Sequence, residues 1–387
     1  MPSSSSIDIL VWDDQLTDRL SSCFGGYSYA ILQIDSYSLK YVKYLPKSFA
    51  AILFSIKRLA KYVCPTKYHN IDYNSRCSWK SFVFTFKRLA RLLFDLSAVY
   101  YYKPRLLISY TDSAERYHYL DCVLHVYIPV LSVQNGCRHY LYQSECFNTS
   151  FSNFFFPPSF HSCFCSLSPL DSVLHKQYGW VINESHSIGS LSAGSALEEI
   201  SCSVSSNKDP FIFVPLNSNL DRPASKLLSL YLKSYSISRN ISLHIGVKLS
   251  RNSPRFKSYF QKAVNLYGHD SIYQFNDKRS DGLSYALNST VVVGCYSTLL
   301  REAFALGVKI LPLNFGPEAL NLHFDGLQIP NFPTEHQFNH LLDTLIAESS
   351  SSYYNRTKHL HDLIGAFPFS PRPNERLSDL IADKLNY

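Results

Sequence analysis

Two adjacent hydroxyl residues and a carboxylate one helical turn later have the chemistry to bind a nucleotide. Ser297 and Thr298 open a segment with helical periodicity that continues to residue 306. A helix N-terminus offers free N–H groups and a positive dipole end to a phosphate. Glu302 would lie on the same helix face as Thr298 and could accept hydrogen bonds from a ribose. Helix capping alone explains the Ser-Thr pair equally well, so both interpretations stay open.

The segments around this helix predict one βαβ unit. Residues 290–293 and 309–313 are short apolar runs, typical of buried parallel strands. Gly294 bounds the first run, and Gly307 stands where the intervening helix would end. Ligands of doubly wound sheets gather where a helix begins at the carboxyl end of such a strand.

Residues 292–311 follow the pattern V-V-G-x-x-S-T-x-x-x-E-A-x-x-x-G-x-x-x-L. This pattern resembles the donor-side motif of GT-B glycosyltransferases, particularly of bacterial surface carbohydrate biosynthesis proteins. The resemblance implies that Ser297 and Thr298 contact the phosphate of a sugar nucleotide and that Glu302 contacts the nucleotide.

Further cations are candidates for the donor site. Lys278 and Arg279 lie in a predicted loop, where they can neutralise a nucleotide phosphate. Lys248 ends a predicted strand and could bind a phosphate or a sugar carboxylate. The family continues from such a lysine as Lys-x-His-Pro, whereas this chain reads Lys-Leu-Ser-Arg and lacks the histidine.

Carboxylates at predicted strand ends are the catalytic candidates. Asp221 follows the predicted strand 210–216 in a segment similar to a motif of retaining bacterial Kdo transferases, with Asn217 where glutamine is usual. Such a carboxylate could attack an anomeric carbon, with Glu115 or Asp112 as the acid/base partner. Capping of the next helix is the alternative role for Asp221.

Polar residues after two earlier predicted strands are the acceptor candidates. They resemble the N-terminal domain of the same family, where a strand ending in Asp-Asn-Ser precedes one ending in Ile-Gln-Asn-Gly-x-Arg. Here the first motif departs and reads Thr-Asp-Ser-Ala, while the second matches well. Turns and helix caps are the alternative roles. The acceptor or sugar-binding candidates are Ser113, Gln134, Asn135, Gly136 and Arg138.

The chain length of 387 residues suits two domains. We predict an α/β, GT-B-like protein in which two Rossmann-like domains with parallel sheets face a central cleft. The acceptor-side domain would span residues 1–186, a Ser- and Gly-rich linker 187–208, and the sugar-nucleotide domain 209–387. Residues 50–54 are predicted as a strand and 147–161 as an irregular loop over the cleft. The resemblance implies that the last helix, 374–385, can return to the first domain, which the sequence alone does not decide.

Positive charge is concentrated near the N-terminus. Residues 40–105 hold fourteen Lys or Arg against two acids, in a chain of formal charge +7. Such a block can meet an anionic lipid surface, an acidic glycan or nucleic acid, but no nucleic-acid module accompanies it. Residues 82–94 mix cations with large apolar residues, which suits a membrane interface or an ordinary half-buried helix. We expect no nucleic-acid partner and a peripheral contact of 40–105 with the inner membrane.

Ten cysteines without a CxxC pair predict free thiols in a reducing compartment. The lone His-x-Cys-x-Cys at 161–165 lacks a second ligand pair, so no metal and no cofactor are expected. We find no apolar segment of signal-peptide type after Met1 and no apolar run long enough to span a bilayer. The sequence therefore predicts a cytoplasmic protein.

The function implied by the resemblance is glycosyl transfer without a metal. The donor would be a nucleotide sugar, with a CMP-linked sugar as one option, and the acceptor a growing surface polysaccharide such as lipopolysaccharide or capsule, or a lipid-linked glycan. Two alternatives stay open: a sugar-nucleotide epimerase of the same fold, and a non-catalytic glycan-binding relative.

Overall fold

A computed structural model describes most of the chain. The described residues are 6–12, 20–32, 38–63, 79–109, 115–134, 160–177, 180–191, 193–194, 210–216, 223–248, 256–275, 279–294, 297–313, 327, 333–364 and 372–386. They form two parallel sheets with helices packed against them.

The first sheet has six parallel strands in the order β2-β1-β3-β4-β5-β6. Successive residues of its central strands alternate between two buried faces, which explains why these strands are largely apolar. The strands are β1 (Ile9–Trp12), β2 (Tyr29–Ile31), β3 (Leu106–Ser109), β4 (Val130–Val133), β5 (Phe160–Ser166) and β6 (Val181–Ser187).

Among the described residues, the helices that accompany this sheet in the first half of the chain include α1 (Leu45–Val63), α2 (Trp79–Tyr102), α3 (Glu115–Leu124) and α4 (Pro169–Gln177). Short 3-10 helices cover Ser21–Cys23 and Leu39–Tyr44. The predicted strand at 50–54 is wrong, because these residues lie inside α1. Ala51, Ile52 and Ser55 face inwards with the spacing of a helix, and a short apolar run does not distinguish the two structures. The predicted loop at 147–161 ends too late, since β5 begins at Phe160; residues 147–159 lie outside the described part.

The second sheet has five parallel strands in the order β11-β10-β7-β8-β9. The strands are β7 (Phe211–Pro215), β8 (Ser242–Lys248), β9 (Ile272–Phe275), β10 (Val291–Gly294) and β11 (Ile310–Pro312). The helices that follow in chain order are α5 (Pro223–Arg239), α6 (Phe256–Tyr267), α7 (Arg279–Asn288), α8 (Thr298–Ala305), α9 (Glu335–Ala347) and α10 (Ser350–Ile364). The βαβ unit predicted around α8 is confirmed.

The last helix, α11 (Pro373–Asn386), packs on the first sheet. Leu377 and Ile381 are fully buried in the same core as Ile9 and Val11 of β1. The helix is also held by Lys384, whose Nζ lies 2.7 Å from a carboxylate oxygen of Glu184 in β6. The C-terminal segment therefore belongs to the first core, as the GT-B resemblance allowed.

The α/β class with two parallel sheets in a GT-B-like arrangement is confirmed. The predicted domain boundaries stay a prediction; Ile188 and Leu191, just after β6, are buried in the first core. Among the described helices, none has both the length and the apolar character required to cross a bilayer.

Candidate functional site

Helix α8 begins directly beyond the carboxyl end of β10, an internal strand of the second sheet. The side chain of Ser297 accepts a hydrogen bond from the backbone N–H of Leu299 at 3.2 Å, so the residue caps the helix. A Cβ at Gly294 would lie 3.2 Å from a methyl carbon of Leu300, so glycine permits the close approach of strand and helix. The capping role of Ser297 is confirmed. Its phosphate role stays a prediction, as does that of Thr298, whose side chain lies outside the described part.

Glu302 extends from α8 towards the first half of the chain. The residue is only 4 % exposed, and its Oε1 accepts a hydrogen bond from the hydroxyl of Ser190 at 2.7 Å. Ser190 follows β6, so this contact joins the end of the first sheet to the helix of the second. The proposed contact of Glu302 with a ribose stays a prediction.

Arg301, the residue before Glu302, also reaches the first half. Its guanidinium makes two parallel contacts with the carboxylate of Asp171 in α4, at 2.9 Å and 2.5 Å. The same guanidinium donates to the hydroxyl of Ser168. The side chains of Arg301 and Asp171 are 4 % and 0 % exposed, so this is a buried two-point ion pair.

Gln134 extends the buried polar cluster to the end of β4. Its Nε2 donates to Asp171 Oδ1 at 3.0 Å, and its Oε1 accepts from the backbone N–H of Leu167 at 2.9 Å. The side chain is 2 % exposed, so its hydrogen bonds are part of the buried polar cluster. Its predicted role in acceptor binding stays a prediction.

The cluster joins the carboxyl edges of the two sheets. Gln134, Leu167 and Ser190 each lie within a few residues of the carboxyl end of β4, β5 or β6, and α8 begins at the carboxyl end of β10. Ser190 contacts α8 through Glu302, whereas Gln134 is linked to α8 through Asp171, which pairs with Arg301. Ligands of open parallel sheets bind outside these carboxyl ends. The region where the two halves meet is therefore the candidate site.

Sequence reasoning did not identify Arg301, Asp171, Ser168 or Ser190. Two local signals were present. Ser168-Pro-Leu-Asp171 has the spacing of a capping box; the Ser168 hydroxyl donates to Asp171 Oδ2 at 2.7 Å and accepts from the Asp171 N–H at 3.2 Å. Arg301 interrupts an otherwise largely apolar helix, and a buried cation requires a partner.

Several candidates are placed only by their backbone. Glu115 opens α3 and Lys248 ends β8, while their side chains lie outside the described part. Arg279, predicted in a loop, is instead the first residue of α7, because the helix begins earlier than the apolar pattern indicated; its side chain also lies outside the described part. The remaining candidates lie entirely outside the described residues, and their roles stay predictions: Asp112, Ser113, Asn135, Gly136, Arg138, Asp221 and Lys278.

The His-x-Cys-x-Cys segment lies in β5. Cys163 and Cys165 are buried free thiols, as expected. A possible ligand atom of Cys163 lies within 4.8 Å of those of Glu184 and His186 on β6. Glu184 Oε1 already lies 2.6 Å from His186 Nε2 and accepts a hydrogen bond from Lys384. The carboxylate is thus engaged in an ion pair that holds α11.

The architecture defines a GT-B-like protein, and comparisons with known proteins agree at the level of fold. No protein-family model matches the chain, and no curated protein matches it. Among solved structures, Staphylococcus aureus MnaA with UDP superposes with a TM-score of 0.56 at 10% identity, over 98% of this chain and 96% of that one.

Two further structures extend this similarity. The UDP-GlcNAc 2-epimerase of Methanocaldococcus jannaschii, in complex with UDP-GlcNAc and UDP, gives a TM-score of 0.55 at 11% identity. The UDP-GlcNAc 2-epimerase of Neisseria meningitidis, bound to UDP-GlcNAc, gives 0.53 at 11% identity. Each match covers 98% of this chain and 99% of the other. At these identities the similarity establishes the shared fold.

Proposed function

We propose that the protein is a sugar-nucleotide enzyme: a glycosyltransferase that moves a sugar from a nucleotide donor to a surface polysaccharide or a lipid-linked glycan. The observation that carries the proposal is the capped start of α8 at the carboxyl end of β10. Arg301 and Glu302 tie this helix to the carboxyl edge of the first sheet, so donor and acceptor groups would meet at one junction.

The donor phosphate would bind at the first N–H groups of α8, beside Ser297 and Thr298. Fixed donors at a helix N-terminus stabilise the negative charge that develops on a leaving phosphate, because they need no rearrangement during the reaction. Glu302 would accept a hydrogen bond from the ribose. Lys248, Lys278 and Arg279 would supply the remaining positive charge, so the proposed transfer requires no metal.

The reacting sugar would lie between carboxylates from the two halves. Asp221 would attack the anomeric carbon, and Glu115 or Asp112 would protonate the leaving group and later activate the acceptor hydroxyl. The acceptor would bind along Ser113, Gln134, Asn135, Gly136 and Arg138. A cytoplasmic location, with residues 40–105 at the inner membrane, would give access to lipid-linked acceptors.

A sugar-nucleotide epimerase is the second candidate. It is favoured by the fold similarity to UDP-GlcNAc 2-epimerases, which extends over nearly the whole of both chains. An epimerase needs an acid/base pair at the donor sugar but no acceptor. The structures solved with UDP or UDP-GlcNAc make a UDP-linked sugar the first donor to test, ahead of the CMP-linked sugar suggested by the Kdo-transferase resemblance.

Two measurements test the proposal. A thermal-shift panel of UDP, CMP, GDP and ADP identifies the nucleotide, because a ligand that binds the folded state raises its melting temperature. The protein is then incubated with the matching isotope-labelled nucleotide sugar without acceptor and followed by NMR. We expect nucleotide binding and no more than slow hydrolysis until an acceptor glycan is added. Formation of the epimer without acceptor would identify an epimerase, and the absence of binding to any nucleotide would contradict both candidates.

A further inference from the structure

Helix α1 carries apolar side chains on the side that faces away from the protein. Its inner side is formed by Ser48, Ala51, Ile52 and Ser55, all buried. Among the side chains of α1 that the structure describes, the exposed large apolar ones and their exposed fractions are Phe49 52 %, Leu53 51 %, Phe54 82 % and Ile56 55 %.

Three of these side chains form a stripe. Phe49, Leu53 and Ile56 follow the i, i+4, i+7 spacing and share one side of the helix, while Phe54 lies roughly 140° further round it. Leu39 on the preceding 3-10 helix is 90 % exposed. The solvent face of a surface helix normally carries polar residues, so several exposed apolar side chains on one short segment indicate an interaction site.

Lysines lie on the same segment as these apolar side chains. Lys43, Lys47 and Lys57 are all exposed. Residues 36–71 contain seven Lys or Arg and neither Asp nor Glu. A ligand that matches this surface has negative charge for the lysines and an apolar region for the exposed apolar side chains.

Tyrosines hold two lysines at the start of the helix. The Nζ of Lys40 lies 4.9 Å from the centre of the Tyr101 ring and donates to the Tyr102 hydroxyl at 3.3 Å. The Nζ of Lys43 lies 5.0 Å from the ring centre of Tyr44. Tyrosine and lysine together are the residues that favour the polar headgroup level of a bilayer.

We propose that this surface binds the face of an anionic lipid bilayer; the α1 surface is defined by Leu39, Phe49, Leu53, Phe54 and Ile56 together with Lys43, Lys47 and Lys57. The apolar side chains enter the boundary between headgroups and acyl chains, and the lysines bind anionic headgroups. Helix α1 lies parallel to the membrane plane and does not cross it.

A bilayer fits this surface better than a second copy of the chain. A symmetric contact between two α1 surfaces would bring their lysines together, and residues 36–71 offer no carboxylate to pair with them. The inference concerns binding alone. It rests on, and makes specific, the membrane contact proposed for residues 40–105, and it holds for a transferase and for an epimerase, so its failure would leave the proposed reaction untouched.

The experiment is vesicle co-sedimentation of the full chain. Vesicles of phosphatidylcholine alone are compared with vesicles containing about one quarter phosphatidylglycerol. We expect binding to the anionic vesicles, reduced about tenfold or more in F49S/L53S/F54S. The matched control is L230S/I237S on α5, because Leu230 and Ile237 are equally exposed apolar residues, at 63 % and 83 %. This control should bind as the unchanged protein does.

Charge is tested separately. K43Q/K47Q/K57Q should lose affinity for anionic vesicles, and salt at about 0.5 M should weaken binding of the unchanged protein by screening. A tryptophan in place of Phe54, F54W, should be quenched by brominated lipid, which reports insertion even if the triple serine variant folds poorly.

Three results would overturn the proposal. They are no binding to anionic vesicles, equal loss of binding in the α5 control, and a concentration-dependent dimer that F49S/L53S/F54S abolishes while vesicles bind neither protein.

Discussion

The guanidinium of Arg301 and the carboxylate of Asp171 pair inside the protein although 130 residues separate them. The two contacts, at 2.9 Å and 2.5 Å, join α8 of the second sheet to α4 of the first. Gln134 and Ser168 bind the same carboxylate, so the pair is anchored near the carboxyl ends of β4 and β5.

Removal of Arg301 should be costly. Arg301→Ala leaves a buried carboxylate without its counter-charge, which should lower the free energy of unfolding by about 3–5 kcal/mol. Urea denaturation measures the change. The matched control is Arg239→Ala, which breaks an equally well-formed two-point pair with Asp343 at the surface, at 3.0 Å and 2.7 Å. The control should change stability little, because exposed pairs contribute little. Equal losses in both variants would contradict the assigned role of burial.

The double variant Arg301→Met with Asp171→Leu tests whether the ion pair has a role beyond stability. Two apolar side chains remove both buried charges, so much of the stability lost in Arg301→Ala should return. Nucleotide affinity, measured by calorimetry, should remain reduced in the double variant if the ion pair orients α8 for the donor. Full recovery of both stability and affinity would limit the pair to a structural role.

Ser297→Ala separates capping from phosphate binding. Loss of the cap should lower stability by about 1 kcal/mol. Thr334→Ala removes the cap of α9, where the Thr334 hydroxyl accepts from the N–H of Gln337 within a capping box, and should cost about the same. Only Ser297→Ala should weaken binding of the nucleotide, measured by calorimetry. An equal affinity in the two variants would show that Ser297 serves the helix alone.

Asp121 predicts a pH dependence of stability. Burial raises the pKa of this α3 carboxyl to about 7, although it accepts hydrogen bonds from Ser162. The ordinary value is 3.8, so between about pH 4 and 7 the folded state holds a proton that the unfolded state has lost. Stability should therefore decrease as pH rises through this window, by up to about 1.4 kcal/mol per unit. In Asp121→Asn, which retains hydrogen-bonding atoms for Ser162, this decrease should be smaller; an unchanged pH profile would contradict the raised pKa.

Ile381 tests the attachment of α11. It is fully buried against the first sheet, so Ile381→Ala should cost about 2–5 kcal/mol through lost burial and the cavity left behind. Ile237→Ala removes the same atoms from a side chain that is 83 % exposed, and should change the urea midpoint little. A small effect at Ile381 would indicate that the first core is stable without the last helix.

The sequence was a good guide to local structure. The runs at 291–294 and 310–312 are apolar because parallel strands are covered on both faces, and such runs are recognisable without any tertiary information. The run at 50–54 was misassigned for the same reason: within this segment α1 is apolar on both its inner and its outer side, so the segment resembles a buried strand.

The candidate site was only partly predictable. Ser297 is recognised as a cap because the signal is local. The contacts of Arg301 with Asp171 and of Glu302 with Ser190 span more than 100 residues, and a single sequence does not reveal which partners the fold brings together. Gln134 was predicted from a motif as a ligand contact; that motif carries no information about its bonds to Asp171 and Leu167.

The position of α11 has a consequence for biosynthesis. The apolar face of β1 around Ile9 is covered by Leu377 and Ile381, which are translated only after the whole of the second sheet. The second sheet can assemble while translation continues, but the first cannot close its core until α11 has emerged. Until then the first sheet of a nascent chain carries an uncovered apolar surface, and chains that stop before α11 should be substrates for chaperones and proteases.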